Sequence, residues 1–119
     1  MNQLQEALTG VLVTPDVRGA AVVPADGLVA ASALGPELDP DALAGVASFL
    51  VVTTDRSLVE GGYGSSDRLT VRAAAGQAVL SKIGDSYLVV IYDQDADVTQ
   101  IGEEAAAAVE QVRLSARMA

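Results

Sequence analysis

The sequence predicts a single α+β domain in which helices cover both faces of a mostly antiparallel, five-stranded sheet. Two observations carry this prediction. Short apolar runs are separated by turn residues in the first third and again in the second half of the chain, and three amphipathic segments stand before, between and after them. The expected order is therefore α-β-β-α-β-β-β-α. A chain of 119 residues is long enough for one core, so we expect residues 1–119 to form one domain.

A helix and a hairpin are expected first. Apolar residues recur at helical spacing within residues 2–13, and Pro15 ends this helix because it disfavours helical geometry in the preceding residue. Two strands, 18–23 and 28–34, flank a Pro-Ala-Asp-Gly sequence in which Gly27 suits a tight turn. Asp26 and Gly27 are therefore interpreted as turn chemistry rather than as a site.

A long middle helix is expected from the N-cap Asp39 to about Val59. Pro40 fits the first helical position, and Asp41 lies in the positively polarised first turn. Residues 42–52 are apolar except for two small residues, and a helix that is apolar nearly all round is buried on more than one side. A domain of this size has little mass to cover both sides. We therefore expect a second copy to pack there, since two-fold dimers are the commonest oligomers; the alternative is tight packing within one domain.

The second half of the chain predicts three strands and a last helix. The expected strands are 68–75, 78–83 and 87–92. Gly76-Gln77 and Gly84-Asp85 are the expected turns. The strand YLVVIY is apolar on both faces and should lie in the centre of the sheet. Asp97 and Gln100 form a capping box that begins the last helix.

The expected dimer interface combines the apolar middle helix with the first of these three strands, which is a potential open edge. Its candidate residues are Leu43, Val46, Phe49, Leu50, Leu69 and Val71.

Composition excludes several classes of function. The net charge of −9 argues against nucleic acid and against anionic membrane surfaces, which both require clustered Lys and Arg. Without Cys or His, the chain lacks disulfide and thiolate chemistry and the commonest general base and metal ligand. No signal peptide and no long uninterrupted apolar run is recognisable, so we expect a soluble, cytoplasmic protein with no membrane insertion.

Two segments resemble ligand-binding loops but lack a required residue. The glycine-rich segment 61–66 has neither the lysine nor the strand-to-helix context of a phosphate-binding loop. The acidic segment 93–104 has the spacing of a calcium loop, but Val98 replaces the required glycine and a strand precedes it. Ser65 and Ser66 have no histidine to activate them. We therefore expect no catalytic residue, no metal and no cofactor.

Three stretches of the chain match a known family in order and spacing. They are VVPADGLVAASAL, LDPDALAGVAS and GQAVLSKIGDSYLVVIYDQDADVTQIGEEAAAAVEQV. On these stretches the chain resembles the Roadblock / dynein light chain family over nearly its whole length. The resemblance implies a profilin-like architecture and a homodimer or heterodimer in which the third strands of two copies join edge to edge and the middle helices pair.

The resemblance also implies a function. It points to a non-enzymatic regulator that binds a small Ras-like GTPase and modulates its GTP/GDP cycle in a bacterial cytoplasm. Bacterial members of the MglB type are taken to reposition the GTPase's own residues, so no catalytic arginine is carried over. We expect the face of the paired middle helices to bind the GTPase through Asp41, Asp55 and Arg56. The alternatives are a dynein-light-chain-like scaffold without effect on a GTPase, and a PAS-like or profilin-like sensor with a small-molecule pocket.

Overall fold

The computed structural model describes most of the chain between residues 16 and 114. The described residues are 16–24, 31–34, 38–97, 99–100, 103, 106–107, 109–111 and 113–114. The first predicted helix, the Asp26-Gly27 turn and the beginning of the second predicted strand lie outside them. Parts of the predicted last helix lie outside them as well.

The described elements form an α+β structure built on an antiparallel sheet. They are β1 (Val17–Pro24), β2 (Ala31–Leu34), α1 (Pro40–Glu60), β3 (Arg68–Ala73), β4 (Gly76–Ile83) and β5 (Ser86–Tyr92). The spatial order of the strands is β2-β1-β5-β4-β3, and every pair of neighbours is antiparallel. The predicted class and antiparallel pairing are confirmed, whereas the order of helices is a prediction that the described residues do not test.

β5 is the central strand, as its two apolar faces predict. It pairs with β1 on one side and with β4 on the other. Alternate residues of β5 contribute to two separate apolar clusters, one on each face of the sheet. Val89 belongs to the cluster that α1 covers, while Leu88 and Val90 belong to the opposite cluster, against which Val109 packs. Burial on both faces explains why this strand has no polar alternation.

α1 begins and ends close to its predicted bounds. The side chain of Asp39 accepts a hydrogen bond from the backbone N–H of Asp41 at 3.0 Å, which confirms the predicted N-cap. The helix packs on the sheet through Ala44, Ala47 and Val51. By length and composition alone this helix could cross a membrane, with a mean hydropathy of 1.4, but core helices of globular proteins share that property.

The turn between β3 and β4 lies two residues earlier than predicted. β3 ends at Ala73, which pairs with Gly76 at the start of β4, so the turn is Ala74-Ala75 rather than Gly76-Gln77. Gly76 instead allows its backbone to lie close to that of Tyr92, because a Cβ at this position would lie 3.2 Å from the carbonyl oxygen of Tyr92. The predicted Gly84-Asp85 turn is confirmed, and Gly84 has the positive φ of 58° that favours glycine.

Gln77 is buried because its side chain holds the acidic loop that follows β5. Its Nε2 donates to the carbonyl oxygens of Asp93, Gln94 and Ala96 at 3.2, 3.4 and 3.2 Å, and the residue is 4% exposed. At the end of the loop, the carboxylate of Asp97 accepts from the backbone N–H of Gln100 at 3.0 Å, as the predicted capping role requires. One amide group therefore fixes the loop that leads into the last helix.

We predict that Gln77→Ala lowers the free energy of unfolding by about 1–3 kcal/mol, because it leaves carbonyl acceptors of the loop without their donor. Urea denaturation at a fixed protein concentration measures the change. Gln94→Ala is the matched control, since that side chain is exposed and only its backbone takes part. Equal losses of stability in the two variants would contradict the role assigned to Gln77.

Candidate interaction surfaces on α1

The outer side of α1 is apolar and exposed. Because the inner side is built from small residues, the larger apolar side chains lie on the remaining circumference of the helix. Val46 and Phe49 are each 59% exposed, and Val52 and Val59 are exposed as well. Apolar side chains clustered on one exposed face are typical of an interaction surface.

The edge strand β3 contributes apolar side chains to the face of the sheet that α1 covers. Leu69 of β3 pairs with Leu80 of β4 and packs against the cluster that α1 covers. Val71 is half-buried and lines a shallow depression of about 180 Å³ together with Ala78 and Ile91. Within the described residues, β3 has a strand neighbour only on its β4 side, so its outer backbone groups are available for another strand.

The structure therefore brings the predicted dimer residues to one side of the molecule. Leu43 packs against the α1-side cluster and is half-buried, as is Leu50. Val46 and Phe49 are open to solvent. Their role in a dimer stays a prediction, because the structure contains one chain.

A cleft of about 570 Å³ lies along the C-terminal half of α1, beside the ends of β1 and β5. Its walls are largely apolar. The described residues that line it are Val23, Pro24, Ala47, Ser48, Val51, Val52, Asp55, Arg56, Val59, Glu60 and Tyr87. Of the three residues predicted to bind a GTPase, Asp55 and Arg56 meet at this cleft, whereas Asp41 is exposed at the opposite end of the helix.

Asp55 is half-buried, and both of its carboxylate oxygens accept hydrogen bonds from within the chain. Its Oδ1 accepts hydrogen bonds from the backbone N–H of Ser66 at 2.8 Å and from the Ser66 hydroxyl at 2.6 Å. Its Oδ2 accepts from the Tyr87 hydroxyl at 3.3 Å. The carboxylate thus joins α1 to the glycine-rich connector and to β5, so its first role is structural.

These contacts shift the pKa values of two groups. Partial burial opposes ionisation of Asp55, but the hydrogen bonds from Ser66 and Tyr87 and the charge of Lys82 outweigh it and lower the pKa of the carboxyl below 3.8. Burial, followed by the charge of Asp55 and the hydrogen bond to it, raises the pKa of the Tyr87 hydroxyl. Asp55 is therefore ionised, and Tyr87 is its neutral donor, at neutral pH.

The sequence did not indicate Ser66 or Tyr87 as partners of Asp55. The glycine-rich segment 61–66 connects α1 to β3, and its Gly62 and Gly64 have positive φ of 87° and 81°. Those glycines allow the chain to turn back until Ser66 meets Asp55. The hydrogen bonds between residues 55 and 66 result from this loop geometry, and no pattern in the sequence predicts them.

Family comparison agrees with this geometry. The family model for the Roadblock/LC7 domain matches residues 4–92. The chain belongs to the Roadblock/LC7 domain family. Two uncharacterized proteins of Methanocaldococcus jannaschii are 30% identical to it over 80 residues, which are 67% of this chain and 70% of each relative.

Solved structures extend the likeness to the fold. A Roadblock/LC7 domain from Streptomyces avermitilis is 25% identical, with a TM-score of 0.83 over 95% of this chain and 97% of that one. MglB of Myxococcus xanthus is 14% identical, with a TM-score of 0.88 over 98% and 96%, and another MglB structure is described as tetrameric. A profilin of Schizosaccharomyces pombe is 17% identical, with a TM-score of 0.65 over 90% and 94%. The profilin-like fold of this Roadblock/LC7 protein is therefore shown.

We predict that Asp55 makes stability depend on pH in the acidic range. A carboxyl whose pKa is lowered on folding stabilises the folded state fully above its unfolded pKa, near 3.8, and this contribution is lost as the pH falls through the folded pKa. Wild type should therefore lose more free energy of unfolding between neutral pH and strong acid than Asp55→Asn does. Urea denaturation across pH measures the difference. Asp95→Asn, at an exposed position of the acidic loop, is the control; identical pH profiles for wild type and Asp55→Asn would refute the prediction.

Proposed function

We propose that this Roadblock/LC7 protein is a non-enzymatic, dimeric regulator that binds a small Ras-like GTPase in the cytoplasm and modulates its GTP/GDP cycle. The observation that carries the proposal is the exposed apolar side of α1, together with the open edge of β3. A scaffold dimer without effect on a GTPase is the alternative, and the GTPase experiment below distinguishes the two.

The dimer is supported by two surfaces that favour the same contact. Val46 and Phe49 expose large apolar side chains that a second copy would remove from water, at about 25 cal/mol for each Å² buried. The outer edge of β3 offers backbone groups that no described strand pairs with. A two-fold axis beside β3 would pair the two strands and bring both α1 helices together, as the family resemblance implies. The tetrameric MglB shows self-association in a structure of the same fold.

The GTPase surface is proposed on the paired α1 helices. Arg56 is exposed near the C-terminal end of α1 and has no ion pair among the described residues, so its charge is available to a partner. Asp41 offers an exposed negative charge near the other end of the helix. Asp55 would act here by holding the end of α1 in place, because its oxygens already accept internal hydrogen bonds. That the partner is a Ras-like GTPase is inferred from the family resemblance.

We predict a homodimer in solution whose mass is twice the 12.1 kDa of one chain. Light scattering at micromolar concentration measures it. Val46→Glu combined with Phe49→Glu should give a folded monomer, because burying two charges without partners costs more than the contact provides. Gln94→Glu adds a charge at an exposed position of the loop after β5, outside the proposed interface, and should leave the dimer intact. A monomeric wild type, or equal dissociation of the Gln94→Glu control, would refute the proposed interface.

We predict that the dimer recovers more of a Ras-like GTPase from cell extract when the GTPase carries a GTP analogue than when it carries GDP. The reason is that a partner shifts a switch protein only through a difference in affinity for its two states. Arg56→Glu should weaken this recovery without unfolding the dimer, because exposed substitutions usually change stability by less than about 0.5 kcal/mol. Arg113→Glu, an equal charge reversal at an exposed position outside α1 and β3, is the control. Equal recovery of GTP-analogue and GDP forms by wild type and Arg56→Glu would favour the scaffold.

A further inference from the structure

The cleft beside α1 is a feature that the proposed dimer does not use. None of the six predicted dimer residues is among the described residues that line it. Its volume of about 570 Å³ lies within the range of roughly 300–1,000 Å³ that is typical of small-molecule sites. A cleft of this size holds a whole small ligand.

The walls of the cleft are suited to an apolar body. Val51 and Val52 of α1 and Val23 of β1 face it, and Val59 extends the apolar wall towards the end of the helix. Val51 and Val23 belong to the buried core, so this wall is rigid, whereas Val52 and Val59 remain exposed to solvent. A ligand that covers the exposed valines gains the free energy of removing their surface from water.

Hydrogen-bonding groups also line the cleft. The Tyr87 hydroxyl donates its proton to Asp55, which leaves its oxygen able to accept a hydrogen bond from a ligand. The guanidinium of Arg56 supplies donors and has no ion pair among the described residues. A hydroxyl group could bond to both of these side chains, and a carbonyl group could accept from Arg56.

The charges around the cleft balance. Its wall carries both signs of charge, because Asp55 and Glu60 are negative and Arg56 is positive, and Lys82 lies near enough to Asp55 to affect its ionisation. A charged head group of either sign would meet a like charge as well as an unlike one. It would also lose water at an apolar wall, at a cost that an uncharged group avoids.

We infer that the cleft binds an uncharged, mainly apolar small molecule that ends in a hydroxyl or carbonyl group. The apolar body lies against Val23, Val51 and Val52, and the polar end meets Tyr87 and Arg56. This site goes beyond the proposed GTPase regulation and does not require it, because it is argued from the cleft alone. Since Arg56 belongs to both, a bound ligand would also alter the surface that the partner contacts.

The test uses the full chain, the neutral fluorescent dye Nile red and three eight-carbon competitors. The dye should bind saturably, and octan-1-ol should displace it. Octanoate and octylammonium, which have the same chain length but a charged end, should displace it about tenfold more weakly, because their charge must be desolvated. Equal displacement by either charged competitor would overturn the inferred ligand class.

Filling the cleft provides the second arm of the test. Val52→Trp should abolish the displaceable dye signal, whereas Thr53→Trp, the next residue on α1 and absent from the lining, should retain it. Val59→Trp fills the same cleft from a position two turns further along the helix. It replaces Val52→Trp in this test if that variant does not fold. In the wild type, octan-1-ol should shift the backbone amide resonances of Val52 and Tyr87. Unchanged resonances, or dye binding that survives in both filled variants, would overturn the site.

Discussion

The packing of a small-residue helix face against the sheet determines what the rest of the molecule presents. Ala44 and Ala47 let α1 lie close to β1 and β5, and Val51 completes the contact. Because the inner face uses such small side chains, the larger apolar residues of the helix, Val46 and Phe49 among them, are left outside. The apolar side of α1 and the cleft beside it are two consequences of the same arrangement.

The sheet supports this arrangement through its central strand. β5 has strands on both sides and apolar clusters on both faces, so it cannot shift in register without exposing one cluster. Tyr87 stands near the start of β5 and reaches Asp55 of α1. The position of the helix end, and with it the position of Arg56, is therefore tied to the most constrained strand of the domain.

Much of the fold could be predicted from local patterns. The parts that could not be predicted in this way depend on contacts between residues that are distant in the sequence. The N-cap Asp39, the Gly84 turn and the central place of β5 each follow from a few neighbouring residues. The β3–β4 turn was misplaced because Gly76 suggested a turn, while its true constraint is the distant carbonyl of Tyr92.

The candidate site shows the same division. Its apolar helix residues could be named from spacing, but the cleft could not, because it arises between α1 and two strands. The structural use of Asp55 depends on Ser66 and Tyr87, which are distant in sequence by 11 and 32 residues. The sequence alone shows only a charged residue near the end of α1, which suits contact with a partner as well as a structural bond.

The contact between Asp55 and Ser66 has a consequence for the order in which the domain opens. It closes a short loop, since the partners are 11 positions apart in the sequence, and short loops cost little chain entropy to close. This contact joins the end of α1 to the connector that precedes β3 without any contact to another strand. Local opening then releases the end of the helix and the connector as one cooperative unit. Amide hydrogen exchange would register this coupling as similar protection in the last turns of α1 and at Ser66.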